Sequence, residues 1–144
     1  VQNVHKTVNF ETVAHELFGL VIDDQRTMRG IVRQMMTSIG ISNIDEYEDG
    51  KTAWNFLTGC TLEVPDFIIC DLHMEHMDGL EFVNKIRRSK NAAIHQIPVL
   101  ILTGDSDKFL HQVADQAGAA KILQKPISAP DLRKEIAGIL GVQI

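Results

Sequence analysis

Cysteine is scarce in this chain: Cys60 and Cys70 are the only two. That count excludes the disulfide framework of a small secreted scaffold and suits a reducing cytoplasm. Cys70 closes a predicted buried strand and is expected to be a core thiol. Long apolar runs are also absent. A membrane-spanning helix needs about 18 consecutive apolar residues, and runs such as Phe67-Ile68-Ile69-Cys70 fall far short, so no membrane partner is expected. Residues 1–16 mix His5, Lys6, Glu11, His15 and Glu16 among their apolar positions, which is not a signal-peptide pattern. Basic clusters are few. The formal net charge is -5, and the longest group, Lys85, Arg87, Arg88 and Lys90, ends a predicted helix where cations suit the dipole. A nucleic-acid face needs more clustered Lys and Arg than this, so no direct nucleic-acid partner is expected. There are no repeats and no low-complexity tract, and 144 residues fit one domain.

Short apolar runs alternate with helix-period segments. Leu17 to Ile22 ends in Asp23-Asp24. Met28, Ile31, Val32, Met35, Met36 and Ile39 then line one helix face, closed by Gly40. A strand is expected near Asn43 to Tyr47, a turn at Asp49-Gly50, and a helix through Ala53, Trp54 and Leu57. Phe67 to Cys70 is the next strand and delivers Asp71. Leu80, Val83 and Ile86 mark a helix, and Val99 to Leu102 delivers Thr103. A helix from about Ser106 to Ala117 stops at Gly118, and Ala120 to Leu123 delivers Lys125-Pro126. Ser128, three residues before Asp131, resembles a capping box ahead of Leu132, Ile136 and Ile139. Five strands alternating with five helices imply an α/β fold with a parallel sheet covered on both faces. The uninterrupted apolar strands agree with burial on both sides. Residues 1–16 are read as an arm or short helix before a domain spanning 17–144.

The strand ends carry the chemistry, because open α/β sheets bind ligands beyond the carboxyl ends of their strands. Here those ends present Asp23, Asp24, Asp71, Thr103 and Lys125. Carboxylates brought together repel unless a cation sits among them, and hard oxygen ligands suit Mg2+. Helix capping could account for Asp24 alone. It does not account for a hydroxyl and a lysine on the same rim. The set suits phosphoryl transfer: a carboxylate can act as nucleophile, while a metal, a lysine and a hydroxyl neutralise and orient the transferring group.

Asp23-Asp24, Asp71, Thr103 and Lys125-Pro126 resemble, in order and spacing, the signature of bacterial two-component response-regulator receiver domains. The similarity covers about residues 17–140. Val21-Ile22-Asp23-Asp24, Glu48-Asp49-Gly50 and Met77-Asp78-Gly79-Leu80 look most like the single-domain chemotaxis regulators. The resemblance implies a flavodoxin-like, doubly wound five-stranded parallel sheet with strand order 2-1-3-4-5. It implies Asp71 as phosphoacceptor, and Mg2+ held by Asp24, Asp71 and the backbone carbonyl of His73, with Asp23 acting through metal-bound water. Thr103 would bind a phosphoryl oxygen and Lys125 would pair with the phosphorylated carboxylate. Gly104 leaves room for the phosphoryl group, and the Lys125-Pro126 bond is expected to be cis. The function implied is a cytoplasmic phosphorylation-dependent switch. It catalyses its own phosphorylation and slow dephosphorylation and is otherwise no enzyme. Its donor would be a sensor histidine kinase or a histidine phosphotransfer protein. Its output would be a downstream protein target or a self-dimer through the last two helices.

Three positions depart from the family pattern. Glu75 stands where Met74 is usually followed by proline, Ile122 where the switch aromatic sits, and Ile127 where a Phe usually follows Lys-Pro. Other readings compete. His73 and His76 with Asp71 and Glu75 could make a zinc site, though an acid-rich set prefers a hard cation. A haloacid-dehalogenase-type phosphatase would want an Asp where His73 stands. A flavodoxin-like electron carrier would want a Ser/Thr/Gly-rich loop where Asp23-Asp24-Gln25-Arg26 stands. A pseudo-receiver, an interaction module never phosphorylated, is kept open by Ile122 and Glu75 and opposed by the complete acids and Lys125.

Overall fold

The computed structural model describes residues 8–59 and 63–144; Cys60 and the first part of the expected arm lie outside them. Strands β1 (Phe18–Ile22), β2 (Asn43–Tyr47), β3 (Phe67–Cys70), β4 (Val99–Thr103) and β5 (Lys121–Gln124) form one parallel sheet ordered β2-β1-β3-β4-β5. This is the doubly wound order expected. Every residue of β1, β3 and β4 is buried, while the edge strands β2 and β5 are partly exposed. That is how a covered parallel sheet reads in sequence: continuous apolar runs inside and mixed residues at the rims.

Successive side chains point to opposite faces of a strand, so the sheet divides the core in two. Leu20, Ile22, Ile68, Cys70 and Ile101 meet Leu57 of α3 (Gly50–Gly59) and Phe82, Val83 and Ile86 of α4 (Gly79–Arg88). Leu110 of α6 (Lys108–Ala117) packs at the edge of that layer. On the other face Val21, Ile69, Leu100 and Leu102 meet Val32 and Met36 of α2 (Arg26–Ser38) and Leu132 and Ile136 of α7 (Ala129–Leu140).

Two single-turn helices, beyond the five that alternate with strands, bring the α-helix count among the described residues to seven: α1 (Phe10–Val13), in the stretch read as an arm or short helix, and α5 (Ala92–His95), which was not expected. Each is nucleated by an asparagine cap, Asn9 accepting from the Glu11 N–H and Asn91 from the Ala93 N–H. Each buries one large apolar residue, Phe10 or Ile94. One turn is too short to show a 3.6-residue period. Phe10 also lies under Arg133 of α7, and its N–H donates to the Gln143 carbonyl at 2.6 Å, so the chain before β1 packs on the last helix. Two boundaries also differ from expectation. Gly50 does not turn the chain but opens α3, with Asp49 Oδ1 accepting from the Thr52 N–H. Helix α6 starts two residues later than expected because Asp107 caps it, accepting from the Phe109 N–H. Ser128 caps α7 by accepting from the Asp131 N–H.

Candidate functional site at the carboxyl edge of the sheet

Strand register brings the rim residues together. Ile22 of β1 pairs with Cys70 of β3, so Asp23 and Asp71 leave the sheet at one level. Thr103 ends β4 opposite Gln124, and the next N–H, that of Lys125, donates to the Thr103 carbonyl at 2.7 Å. Carboxylate oxygens of Asp23, Asp24 and Asp71 all lie within 4.8 Å of one another, the only such group among the described residues. Asp23 and Asp71 are buried and Asp24 is exposed. Lys125 Nζ reaches both buried acids, 3.2 Å from Asp23 Oδ2 and 3.4 Å from Asp71 Oδ2. One ammonium therefore faces three carboxylates, and the uncompensated charge can be met by a hard divalent cation. Burial pushes the Asp71 carboxyl above its ordinary range; Lys125 opposes that shift and Asp23 adds to it.

The loop after β3 is tied down. Asp71 Oδ1 accepts from the Leu72 N–H at 2.7 Å, and the Asp71 N–H donates to the Ile22 carbonyl at 3.0 Å. That leaves Asp71 Oδ2 on the side of Lys125 and Asp23. Thr103 is fully buried, and its Oγ1 accepts from the Asp105 N–H at 3.1 Å. An open cleft of about 400 Å3 is lined by Asp71, Thr103 and Lys125 together with Gln25, Met28 and Gly104. The Lys125-Pro126 peptide is cis.

The His73 ring is exposed and turns to the cleft rim, its Nε2 2.7 Å from Asp105 Oδ2. Hydrogen bonds from the Asp107 N–H and from His73 hold the Asp105 carboxyl below its usual range. His76 lies 3.5 Å from Asp49. Neither ring joins the acidic group, which counts against the zinc reading. Glu75 is exposed on the loop, and Ile122 is half-buried on β5. Two contributors carried no expected role. Arg29 donates to the Asp23 carbonyl at 2.7 Å while pairing with Glu46, which steadies the first acidic loop. His111 donates to the Asp105 carbonyl at 2.7 Å. The i, i+4 pair Arg29 and Arg33 on one helix face was the available signal for the first; none marks the second.

Known proteins place the chain in a family. The family model for the response regulator receiver domain matches residues 20–137. The chain belongs to that family and is, as such, a receiver domain of two-component signalling. The chemotaxis protein CheY homolog of Campylobacter jejuni is 33% identical over 122 residues, covering 85% of this chain and 91% of the relative. The chemotaxis response regulator CheY4 of Vibrio cholerae superposes with a TM-score of 0.74 at 27% identity, covering 86% of this chain and 98% of that one. The receiver domain of a sensor histidine kinase from Pseudomonas aeruginosa PAO1, solved with magnesium coordinated in its active-site cleft, shares the fold with a TM-score of 0.75 at 22% identity. That match covers 87% of this chain and 98% of the other.

Proposed function

We propose that this receiver is a phosphorylation-dependent switch whose Asp71 accepts a phosphoryl group in the presence of Mg2+. The observation that carries the reading is Lys125 Nζ placed between Asp23 and Asp71, with Asp24 completing the acidic group. An Asp71 carboxylate oxygen attacks phosphorus, the bond to the donor breaks, and the donor leaves with its electron pair. In the cell the donor is a phosphohistidine on a sensor kinase or phosphotransfer protein, and the compartment is the cytoplasm. Asp24, Asp71 and the His73 carbonyl would hold a magnesium ion, with Asp23 beside them, and the ion would supply positive charge next to the transferring group. Lys125 pairs with the phosphorylated carboxylate, and the Thr103 hydroxyl donates to a phosphoryl oxygen. The face made by α6, β5 and α7 meets the target or a second copy, and Phe109, 68% exposed on α6, is its most prominent apolar group.

Incubation with acetyl phosphate and magnesium tests the reading. One acid-labile label per chain is expected; acid-stable label on a Ser or Thr, or no label, would refute it, the latter favouring an interaction module. Asp24→Asn removes one of three charges and should weaken magnesium binding at least tenfold, roughly what one charged ligand contributes. Equal affinity by calorimetry would sink the metal assignment. A further expectation concerns lifetime. The His73–Asp105 pair spans the entrance that an attacking water must use. Replacing both by alanine should shorten the acyl-phosphate half-life several-fold with the fold intact by circular dichroism. An unchanged half-life would show that the pair does not screen the site.

A further inference from the structure

The loop between β4 and α6 is held by hydrogen bonds rather than by packing. Gly104, Ser106 and Asp107 are exposed, and Asp105 is only half-buried. Asp105 nevertheless has each of its polar groups engaged. Its N–H donates to Thr103 Oγ1 at 3.1 Å, and its Oδ1 accepts from the Asp107 N–H at 2.8 Å. Its Oδ2 meets His73 Nε2 at 2.7 Å, and its carbonyl meets His111 Nε2 at 2.7 Å. A carbonyl can only accept, so Nε2 of His111 carries the hydrogen. His111 sits in the first turns of α6, half-buried, and ties the loop to the helix. At the other end of the chain of bonds, the buried Thr103 oxygen is already an acceptor. Its own hydrogen is therefore left for another acceptor.

We propose that His111 is a positioning residue: it fixes the Asp105 backbone, thereby aims the Thr103 hydroxyl, and carries the phosphorylation state of the site into α6. The proposal rests on the reading of Asp71 as phosphoacceptor. A phosphoryl oxygen on Asp71 is the acceptor the Thr103 hydrogen lacks. Any shift of Thr103 toward it pulls on the Asp105 N–H, and the Asp105 carbonyl passes that pull to His111. The route is the backbone, which matters because Ile122 offers no aromatic ring to swing. Asp107 holds the start of α6 as its cap, while the His111 side chain is the bond that ties Asp105 itself to the helix, and a loop linked in this way is the kind of element that a covalent group can bias.

The test compares wild type, His111→Leu and His111→Gln. A glutamine amide can donate to the same carbonyl from nearly the same place, and leucine cannot. Labelling by acetyl phosphate at saturating donor and magnesium should slow about fivefold in His111→Leu, the worth of one ordinary hydrogen bond, and recover in His111→Gln. Magnesium affinity should not move. With beryllofluoride, wild type should show amide shifts from the Asp71 loop through residues 104–112. His111→Leu should keep those near Asp71 and Thr103 and lose those beyond Asp105. Two outcomes overturn the proposal alone: His111→Leu labelling and shifting like wild type, or His111→Gln behaving like His111→Leu, which would mean a packing role. A wild-type chain that takes no label overturns the phosphoacceptor reading and this role with it. Should His111→Leu not fold, His111→Asn replaces it, since its shorter amide falls away from the carbonyl.

Discussion

Asp71→Asn should take no acid-labile label from acetyl phosphate under conditions where the parent chain takes one. The amide oxygen is a poor nucleophile, and no other carboxylate has the same surroundings. Asp23 is buried and bonded to the Gln25 N–H and to Lys125, and Asp24 lies exposed outside the Lys125 contact. The same substitution should raise the melting temperature in chelator. Burial lifts the Asp71 carboxyl above its ordinary range in the fold. A folded state that binds the proton more tightly than the unfolded chain gains stability from this group below the unfolded value and loses it as pH rises through the folded value. At neutral pH without metal, the ionised Asp71 is therefore a cost that asparagine removes. The difference in melting temperature should vanish as pH falls below the ordinary carboxylate range. It should also shrink at neutral pH when magnesium is added, since the ion stabilises only the chain that binds it well. Residual label on Asp71→Asn would move the acceptor elsewhere, and a melting temperature lower in chelator would contradict the burial argument.

The sheet order and the rim of the site were legible for one reason: in a parallel α/β sheet each buried strand delivers its next residue to the same edge. Four strands thus marked where Asp23, Asp71, Thr103 and Lys125 would emerge, and register did the rest. Features that depend on a single turn were barely legible: α1 falls where residues 1–16 are read as an arm or short helix, and α5 has no counterpart in that reading. Helices α1 and α5 rest on one cap and one buried side chain each, below the length at which periodicity shows. The start of α6 was misplaced because Ser106, Asp107 and the residues around them offer several caps, and only the backbone path chooses Asp107. Orientation of side chains around the site was equally hidden. That His73 turns to Asp105 and His76 to Asp49, rather than both toward a metal, follows from loop geometry that two histidines three residues apart do not encode. The role of His111 depends on a carbonyl six residues earlier and leaves no pattern in the chain.

Gly79→Ala should be among the most damaging single substitutions outside the rim itself. Gly79 opens α4, and its N–H donates to the Leu72 carbonyl at 2.8 Å. An added Cβ would meet the Asp71 carbonyl oxygen at 2.5 Å and Leu72 Cα at 3.0 Å. Both are backbone atoms, so no side chain can rotate out of the way. Either α4 lifts from the end of β3 or the Asp71 loop is displaced. The first exposes the layer that Phe82, Val83 and Ile86 make with the sheet; the second moves Asp71 relative to Lys125 and Thr103. Overpacking against a rigid wall costs about 3 kcal/mol. In a chain of this length that corresponds to a melting temperature lower by about 10 °C. Labelling should slow by about tenfold or more at temperatures where the variant is still folded, because a displacement near 1 Å is enough to disturb in-line attack. Gly30→Ala supplies the control. Gly30 lies inside α2 with nothing within 4 Å of an added Cβ, so alanine there should stabilise by about 0.5–1 kcal/mol and leave labelling unchanged. Equal melting temperatures and equal labelling rates for Gly79→Ala and the parent chain would show that the close approach of α4 to the acceptor loop is not what holds Asp71 in place.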